Sequence, residues 1–503
     1  MRQFLRELKR SMAEDRLQLL TAGFILLMLA VFPLVTGNRG YANITAVKHG
    51  FLLVCALGYF ILLAVVLLGK IRRREMRFTL SGIWRKLSLT QKLLLLYGLI
   101  CITSAIFSPY SQLVWSGGGR YEGLATTLVY IGIFMTVSSF GRFKPAHLYA
   151  LLVPVLVNGV IALIQLAGGN PFWLYPPGYN YYDGNTAYSG EFLGTIGNSG
   201  LFSAFFCLAV PAFVVYFIHN NKNKKTYLFV AAALLSVYVM LSSKVAAGLV
   251  GLTAGVLVIT PVLLRTKKAR LIFGAIMLIL LIICLLMLLD YNGPEAGLVY
   301  ESSAILHGEA EDSFGSGRVL IWRETLDLIG ERPLLGGGPD TLGRRLDLTF
   351  TNGSGGNIRE TRVDNAHNDY LNIAANIGVP GLLVYLAALI SCAIGWLRRY
   401  RDTAVLVCGA AVLCYSIQIV FSFSLCITAP LFWIFWGLLD SALAKKSRMT
   451  PGGTPGSKIK NAGNRAGILL RISLYIGISR VRGDDDRCDD IDDDTRKRYG
   501  KNG

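Results

Sequence analysis

Residues 271–290 read LIFGAIMLILLIICLLMLLD, a run in which the only charged residue is the last. An apolar run of roughly 20 residues is long enough to cross the hydrocarbon core of a bilayer as one helix. On both sides of it we find further runs of this kind, about twelve in all, in a chain whose residues are 53% hydrophobic. Their predicted bounds are 17–36, 50–69, 91–108, 124–141, 147–167, 194–217, 226–242, 245–264, 271–290, 370–396, 403–422 and 424–444.

The predicted runs favour helices over strands. No Asp, Glu, Lys or Arg lies in the middle of any run, and the alternation of a lipid-facing barrel strand is missing. Because the bilayer core offers no water to unpaired backbone groups, such segments must satisfy their N–H and C=O groups internally as helices. The sequence therefore predicts an all-α, polytopic membrane protein with about 12 transmembrane helices.

The basic residues behind the net charge of +19 lie in alternate connections between the runs. The short connections on the other side hold only Arg39, Lys48, Arg120 and Lys244. This positive-inside pattern predicts a multi-pass protein of the cytoplasmic (inner) membrane with both termini in the cytoplasm. Since topology and the lipid bilayer account for the charge, no nucleic-acid partner is predicted. The basic clusters lie within 1–16, 70–86, 142–144, 222–225, 265–270 and 398–401.

One long polar loop, 291–369, joins the ninth and tenth runs on the predicted extracytoplasmic side. A simple connector seldom exceeds about 12–15 residues, so a loop of this length indicates a functional segment. Within it, Gly317–Ile329 has the apolar spacing of a short amphipathic helix, and Asn352–Asn357 is rich in glycine. The loop ends in Asp364-Asn365-Ala366-His367-Asn368-Asp369, directly before the tenth run.

The chain changes composition after residue 445. A Gly/Pro/Ser-rich linker at Thr450–Ser457 precedes a run of aspartates between Asp484 and Asp494. This pattern predicts a membrane domain over 1–445, followed by a disordered cytoplasmic tail over 446–503.

Cysteines and acidic residues give no sign of a metal or a cofactor. Eight of the nine cysteines fall inside the apolar runs, in no disulfide or zinc pattern. The loop carboxylates show no ligand spacing with a histidine, and the chain holds neither a phosphate-binding P-loop nor a dinucleotide fingerprint. The sequence therefore predicts no metal site, no cofactor and no nucleotide-sugar donor.

His367 stands where the long loop returns to the membrane. A neutral imidazole at this position could accept a proton from a hydroxyl nucleophile. The alternative is a histidine at a helix end whose ring is satisfied by a nearby carbonyl, and the isolated residue does not decide between the two.

Two arginines lie on the predicted outer side, where topology does not require them. Arg120 lies in a Gly-rich turn, and Arg318 opens the predicted loop helix after Gly315-Ser316-Gly317. Guanidinium groups beside exposed amides suit a diphosphate, which needs several donors and charge neutralisation. The alternative is ordinary ion pairing with Glu122 or Glu311.

These residues resemble motifs of the O-antigen ligase and polymerase superfamily of bacterial membrane glycosyltransferases. The resemblance extends in order over about residues 15 to 445. The strongest motifs are Gly315-Ser316-Gly317-Arg318 with Trp322, Arg332-Pro333-Leu334-Leu335-Gly336-Gly337-Gly338-Pro339, His367-Asn368-Asp369-Tyr370-Leu371 and Gly378-Val379-Pro380-Gly381. Weaker motifs are Arg120-Tyr121-Glu122-Gly123-Leu124, Gly194-Thr195-Ile196-Gly197-Asn198 and Ser242-Ser243-Lys244.

The resemblance implies transfer of a glycan from an undecaprenyl-diphosphate carrier, or a similar polyprenyl diphosphate, to an acceptor hydroxyl outside the cytoplasmic membrane. It assigns the catalytic roles to Arg318 and His367, without metal. Arg120 and Lys244 would bind the diphosphate, although members usually carry arginine at the position of Lys244, and lysine lacks the bidentate fork. Arg323 and Asn368 complete the predicted substrate-binding residues.

Two other classes of function share some of these features. A transporter or flippase of lipid-linked oligosaccharides would have the same runs, but ion-coupled transport usually needs ionisable groups at membrane depth. A non-catalytic scaffold of the cell envelope would use the long loop as a docking surface. Within the superfamily, the sequence does not separate ligase from polymerase, or a lipid acceptor from a glycan or a protein.

Overall fold

The structure is a computed structural model that describes residues 16–73, 79–175, 193–243, 245–264, 266–295, 297–351 and 358–447. Lys244, the Gly-rich stretch Asn352–Asn357 and the predicted tail from residue 448 onward lie outside the described residues.

Sixteen α-helices, five short 3₁₀ turns and one hairpin form the regular structure of the described residues. The first eight helices are α1 (Arg16–Ala30), α2 (Ile44–Arg72), α3 (Leu80–Lys86), α4 (Leu89–Ile106), α5 (Leu124–Phe140), α6 (Pro145–Leu166), α7 (Ser199–Asn220) and α8 (Tyr227–Ser242). The others are α9 (Ala246–Leu263), α10 (Lys267–Leu289), α11 (Gly297–Leu306), α12 (Phe314–Glu331), α13 (Asp369–Ile377), α14 (Val379–Arg399), α15 (Thr403–Gln418) and α16 (Ala429–Ser447). Strands β1 (Asp347–Thr351) and β2 (Ile358–Arg362) pair antiparallel, with Asp347 opposite Arg362.

Nine helical segments of the described chain are long and apolar enough to cross a membrane. Three shorter apolar helices, Leu124–Phe140, Thr403–Gln418 and Ala429–Ala444, coincide with other predicted runs. The prediction of an all-α, multi-pass membrane protein is confirmed, whereas the exact count of twelve spans and their orientation stay predictions. The hairpin β1–β2 was not predicted.

The core lies around α7, whose side chains are almost all buried between Leu201 and Tyr216. It packs against α15, α8 and α9, and α16 packs against α5. By contrast, none of the residues of α10 is buried. Since an apolar helix is stable in hydrocarbon, we interpret α10 as a helix at the lipid-facing periphery.

Two charged side chains are buried inside helices of the bundle. Lys48 in α2 donates its Nζ to the carbonyl of Pro33 at 2.8 Å and to that of Phe32 at 3.3 Å. Near the end of α16, Asp440 accepts hydrogen bonds from Ser88, at 2.9 Å, and from Ser138. Hydrogen bonds compensate buried charges, so we interpret both groups as structural.

The long loop has a small core of its own. Leu320 and Ile321 of α12 pack with Leu342, Leu346 and Leu348, and this cluster rests on α13. The predicted loop helix is present. Of the apolar residues whose spacing predicts it, Val319, Trp322, Leu326 and Ile329, Leu326 is 55% exposed. The loop therefore covers one end of the bundle through Leu320 and Ile321.

Gly378 divides the predicted tenth run into α13 and α14. Its φ of 90° is a conformation that only glycine adopts readily, and a Cβ there would lie 2.3 Å from the carbonyl oxygen of Leu334. Val379 N–H donates to the carbonyl of Pro333 at 2.8 Å. The close contact holds the loop segment around Pro333 against the start of α14.

Candidate functional site

His367 has a fixed backbone at the end of the loop. Its φ is 47°, and its N–H donates to Oδ1 of Asn365 at 2.9 Å. The preceding carbonyl, of Ala366, accepts from the indole Nε1 of Trp322 in α12 at 3.0 Å. A left-handed conformation at a non-glycine residue is costly and often marks a functional position. Trp322 thus links the orientation of His367 to α12.

Asn368 caps the helix that follows. Its Oδ1 accepts from the backbone N–H groups of Tyr370, at 3.1 Å, and Leu371, at 3.2 Å. Asparagine is a preferred residue at this position because it satisfies N–H groups that the first turn leaves unpaired. The structure thus gives Asn368 a structural role, and its predicted part in substrate binding stays a prediction.

Arg318 follows a three-residue left-handed turn near the start of α12. Gly315, Ser316 and Gly317 all have positive φ, and the Arg318 side chain folds back over this turn to donate from NH1 to the carbonyl of Gly315 at 2.6 Å. Its Nε is buried without a hydrogen-bond partner, and no carboxylate pairs with it within the described residues. A half-buried guanidinium group without a counterion is suited to bind an anion.

Arg120 reaches the same site from the turn between α4 and α5. Its guanidinium donates from Nε and from NH2 to the two carboxylate oxygens of Asp364, which makes a bidentate ion pair. The same guanidinium lies 4.6 Å from the ring centroid of Phe423. The edge of the His367 ring packs on the same phenyl ring, with centroids 5.5 Å apart. Phe423 therefore contacts both Arg120 and His367.

Burial and two neighbouring arginines determine the charge state of His367. Burial, followed by the positive charges of Arg318 and Arg120, lowers the pKa of the imidazole from 6.5 to about 4. Asp364 acts in the opposite direction. The imidazole is therefore neutral at physiological pH and can accept a proton. Although burial favours the neutral acid, the hydrogen bond and charge of Arg120 lower the pKa of Asp364 below its ordinary value.

The ion pairs considered from the sequence are not formed. Glu122 accepts from the hydroxyl of Tyr130 at 2.9 Å and from the N–H of Cys426 at 2.5 Å, while Arg120 pairs with Asp364. Glu311 accepts instead from the hydroxyl of Ser313 at 3.3 Å. The Arg120–Asp364 pair was not foreseen because its members are far apart in sequence.

Arg323 is turned away from this site. Its exposed guanidinium pairs with Asp312 at 2.8 Å and lies 3.9 Å from Glu324. Five helical positions separate it from Arg318, which places the two side chains on different faces of α12. The structure thus brings together Arg318, Arg120 and His367, leaves Arg323 apart, and does not describe Lys244.

Behind the site lies an acidic cavity that sequence reasoning missed. It encloses about 90 Å³ and is lined by Glu122, Asp340 and Asp369 together with tyrosines. Burial raises the pKa of Asp340 to about 6, that of Asp369 to about 7, and that of Glu122 well above its ordinary value. A cavity of this size and polarity has room for a few ordered waters.

The cavity and the site share their segments. Glu122 follows Arg120 by two positions, Asp369 follows His367 by two, and Ser424, whose N–H donates to Asp369 at 3.2 Å, follows Phe423. The sequence already places Glu122 beside Arg120 and Asp369 beside His367. It does not show that these two carboxylates meet Asp340 in one cavity. Within the described residues, no group of three or more His, Cys, Asp or Glu side chains has the arrangement of a metal site.

A comparison with protein families gives one match. Residues 230–386 match the model described as O-antigen ligase. The matched segment contains Arg318 and His367, while Arg120 precedes it. A comparison with curated proteins gives no match to the chain. The family match supports the resemblance of the motifs between residues 230 and 386, and the motifs at Arg120 and Gly194 lie outside it.

Proposed function

We propose that this protein, a multi-pass member of the O-antigen ligase and polymerase superfamily, transfers a glycan from a polyprenyl diphosphate to an acceptor hydroxyl outside the cytoplasmic membrane. The family match supports a glycan-transferring enzyme of the ligase or polymerase type, acting on lipid-linked glycans in polysaccharide biosynthesis. The observation that carries the finer proposal is the half-buried Arg318, whose buried Nε has no partner and which lacks a carboxylate partner within the described residues, beside a neutral His367.

The arginines bind the donor. A diphosphate has several charged oxygens, and Arg318 offers its unpaired Nε–H together with a desolvated positive charge. Arg120 has five N–H donors, of which Asp364 engages two, so three are left for phosphate oxygens. Neutralising the charge that develops on the leaving diphosphate stabilises the transition state.

His367 serves the acceptor. As the acceptor oxygen forms a bond to the anomeric carbon, the bond from that carbon to the diphosphate oxygen breaks, and its electron pair leaves with the diphosphate. The acceptor hydroxyl gives its proton to the neutral imidazole of His367. The protein contributes positioning, charge neutralisation and one base.

Glycan transfer in proteoliposomes tests these roles. Arg318→Ala removes a charge that interacts more strongly with the departing diphosphate than with the bound donor, so we expect transfer to fall by about 10²- to 10³-fold. His367→Ala removes the base, which is expected to cost about 10²- to 10⁴-fold.

The matched control is Arg362→Gln, which removes an exposed arginine of the same loop that is already paired with Asp347 at 2.9 Å. The transfer rate of this variant should stay within about twofold of the rate of the unchanged protein, because exposed ion pairs contribute little. Undiminished transfer by both Arg318→Ala and His367→Ala would refute the assignment.

The proposed mechanism does not use a metal. Arg318 and Arg120 supply the positive charge that a divalent ion supplies in many phosphate-handling enzymes. Transfer should therefore continue at an unchanged rate in the presence of a chelator. A loss of activity that one divalent ion restores would contradict this part of the proposal.

A further inference from the structure

A large basic cavity lies far from His367, at the ends of α7, α9 and α15. Its volume is about 690 Å³, within the range of about 300–1,000 Å³ that is typical of ligand pockets. Among its lining residues are Lys222, Arg270, Tyr400 and Arg401.

The cavity and the site lie at opposite ends of the bundle. Arg401, which lines the cavity, immediately precedes Asp402, the N-cap of α15. At the other end of α15, the carbonyl of Ile419 accepts from the N–H of Asp369 at 2.9 Å, beside the site. The 16 residues of α15 span roughly 24 Å. The cavity thus lies at the other surface of the apolar bundle, which the charge pattern predicts to be cytoplasmic.

The positive charges in the cavity lack anionic partners. Arg270 donates from Nε to the carbonyl of Leu264 at 3.0 Å and from NH2 to the hydroxyl of Tyr400 at 3.3 Å. Hydrogen bonds from Arg270 and Arg401 lower the pKa of Tyr400. Within the described residues, Arg270, Arg401 and Lys222 form no ion pair.

The carboxylate next to Arg401 in the sequence, Asp402, is already engaged. Asp402 pairs with Arg399 at 3.4 Å and caps α15 by accepting from the N–H groups of Ala404 and Val405. It is not among the residues that line the cavity. The lining thus contains basic side chains and no acidic ones, a composition that favours the binding of an anion.

The wall of the cavity is apolar on one side. Val262, Leu263 and Leu406 line it beside the cations. A small hydrophilic anion would gain nothing from these side chains. An amphiphile could place its charged headgroup on the cations and its chain along the apolar helix ends.

We propose that this cavity binds the phosphate headgroup of an anionic phospholipid from the adjacent leaflet. Arg270 and Arg401 contact the phosphate from either side of Tyr400, and Lys222 closes the mouth of the cavity. The ligand chemistry is that of a phosphate ester, and the apolar wall favours the lipid over free phosphate as its source.

Native mass spectrometry of the full-length protein in detergent tests the proposal directly. The probes are phosphatidylglycerol, phosphatidylcholine as a neutral lipid, and inorganic phosphate. We expect phosphatidylglycerol to be retained in preference to phosphatidylcholine. Arg401→Gln and Lys222→Gln should each weaken its retention about fivefold, since a basic side chain near anionic lipid contributes about that factor. Both side chains are exposed, so the substitutions leave the fold intact.

Two matched controls remove the same charge nearby. Arg398→Gln and Lys225→Gln change exposed residues of the same helix end and the same turn, neither of which lines the cavity. They should retain phosphatidylglycerol like the unchanged protein.

Three results would overturn the proposal. One is equal retention by cavity and control variants, and another is equal retention of phosphatidylcholine. The third is full displacement of the bound lipid by inorganic phosphate at equal concentration. That result would indicate that the cavity binds a soluble anion instead. None of these results depends on glycan transfer, so the proposed function is tested separately.

Discussion

His367 is held in a left-handed backbone conformation by two hydrogen bonds, one to its own N–H and one to the carbonyl before it. Asn365 binds its N–H, and Trp322 binds the carbonyl before it. Strain of this kind persists only where the surroundings determine it, and it is common at functional sites. The sequence identified the residue, but its contacts with Phe423 and the influence of Arg318 required the fold, since these residues are distant along the chain.

The lowered pKa of His367 predicts a specific pH dependence. A base acts in its neutral form, and in the free protein the imidazole stays neutral down to about pH 4. We therefore expect kcat/KM, which reports the free enzyme, to show no loss from His367 until the pH approaches that value. A bound diphosphate would offset the arginine charges and raise the pKa, so kcat should fall at a higher pH than kcat/KM.

The measurement is a pH profile of both parameters, with the residual activity of His367→Gln as the reference. The reference is needed because burial also brings the pKa of Asp340 and Asp369 towards neutrality. The predicted environment of the imidazole would be contradicted if kcat/KM fell below about pH 6.5 in the unchanged protein and this fall was missing in His367→Gln.

At the scale of elements, the apolar runs were predictable because length and composition alone determine whether a segment can cross a bilayer. The division at Gly378 was not, since its positive φ depends on the approach of Leu334 from the loop. The hairpin β1–β2 was also missed, because its pairing involves residues on either side of the Gly-rich stretch.

Gly378→Ala tests how the loop is attached to the bundle. The new Cβ would collide with the carbonyl of Leu334, in a backbone conformation that alanine avoids. We expect a loss of about 2–4 kcal/mol of stability and a lower midpoint of thermal unfolding. Transfer should decline as well, because the loop carries Arg318.

The control is Gly274→Ala in α10, where a Cβ meets no atom within 4 Å. Alanine in a helix interior is favoured over glycine by about 0.5–1 kcal/mol, so this variant should melt at the same or a higher temperature. Equal melting of the two variants would show that the contact at Gly378 does not hold the loop.

At the scale of the whole molecule, the loop and the bundle form the site jointly. The loop supplies Arg318 and His367, the turn between α4 and α5 supplies Arg120, and the segment between α15 and α16 supplies Phe423. The motifs predicted the first three residues, and Phe423 carried no signal in the sequence. The acidic cavity was not predicted either, because its three carboxylates come from three separate segments of the chain.

Binding of a polyprenyl diphosphate without its glycan tests the central claim most directly, because it separates the donor site from the acceptor base. Charge-assisted hydrogen bonds contribute about 1.5–3 kcal/mol, so Arg318→Gln should raise the Kd roughly 10- to 150-fold. His367→Gln should bind the carrier with the Kd of the unchanged protein while transferring glycan about 10²- to 10⁴-fold more slowly. An unchanged Kd for Arg318→Gln would contradict the account.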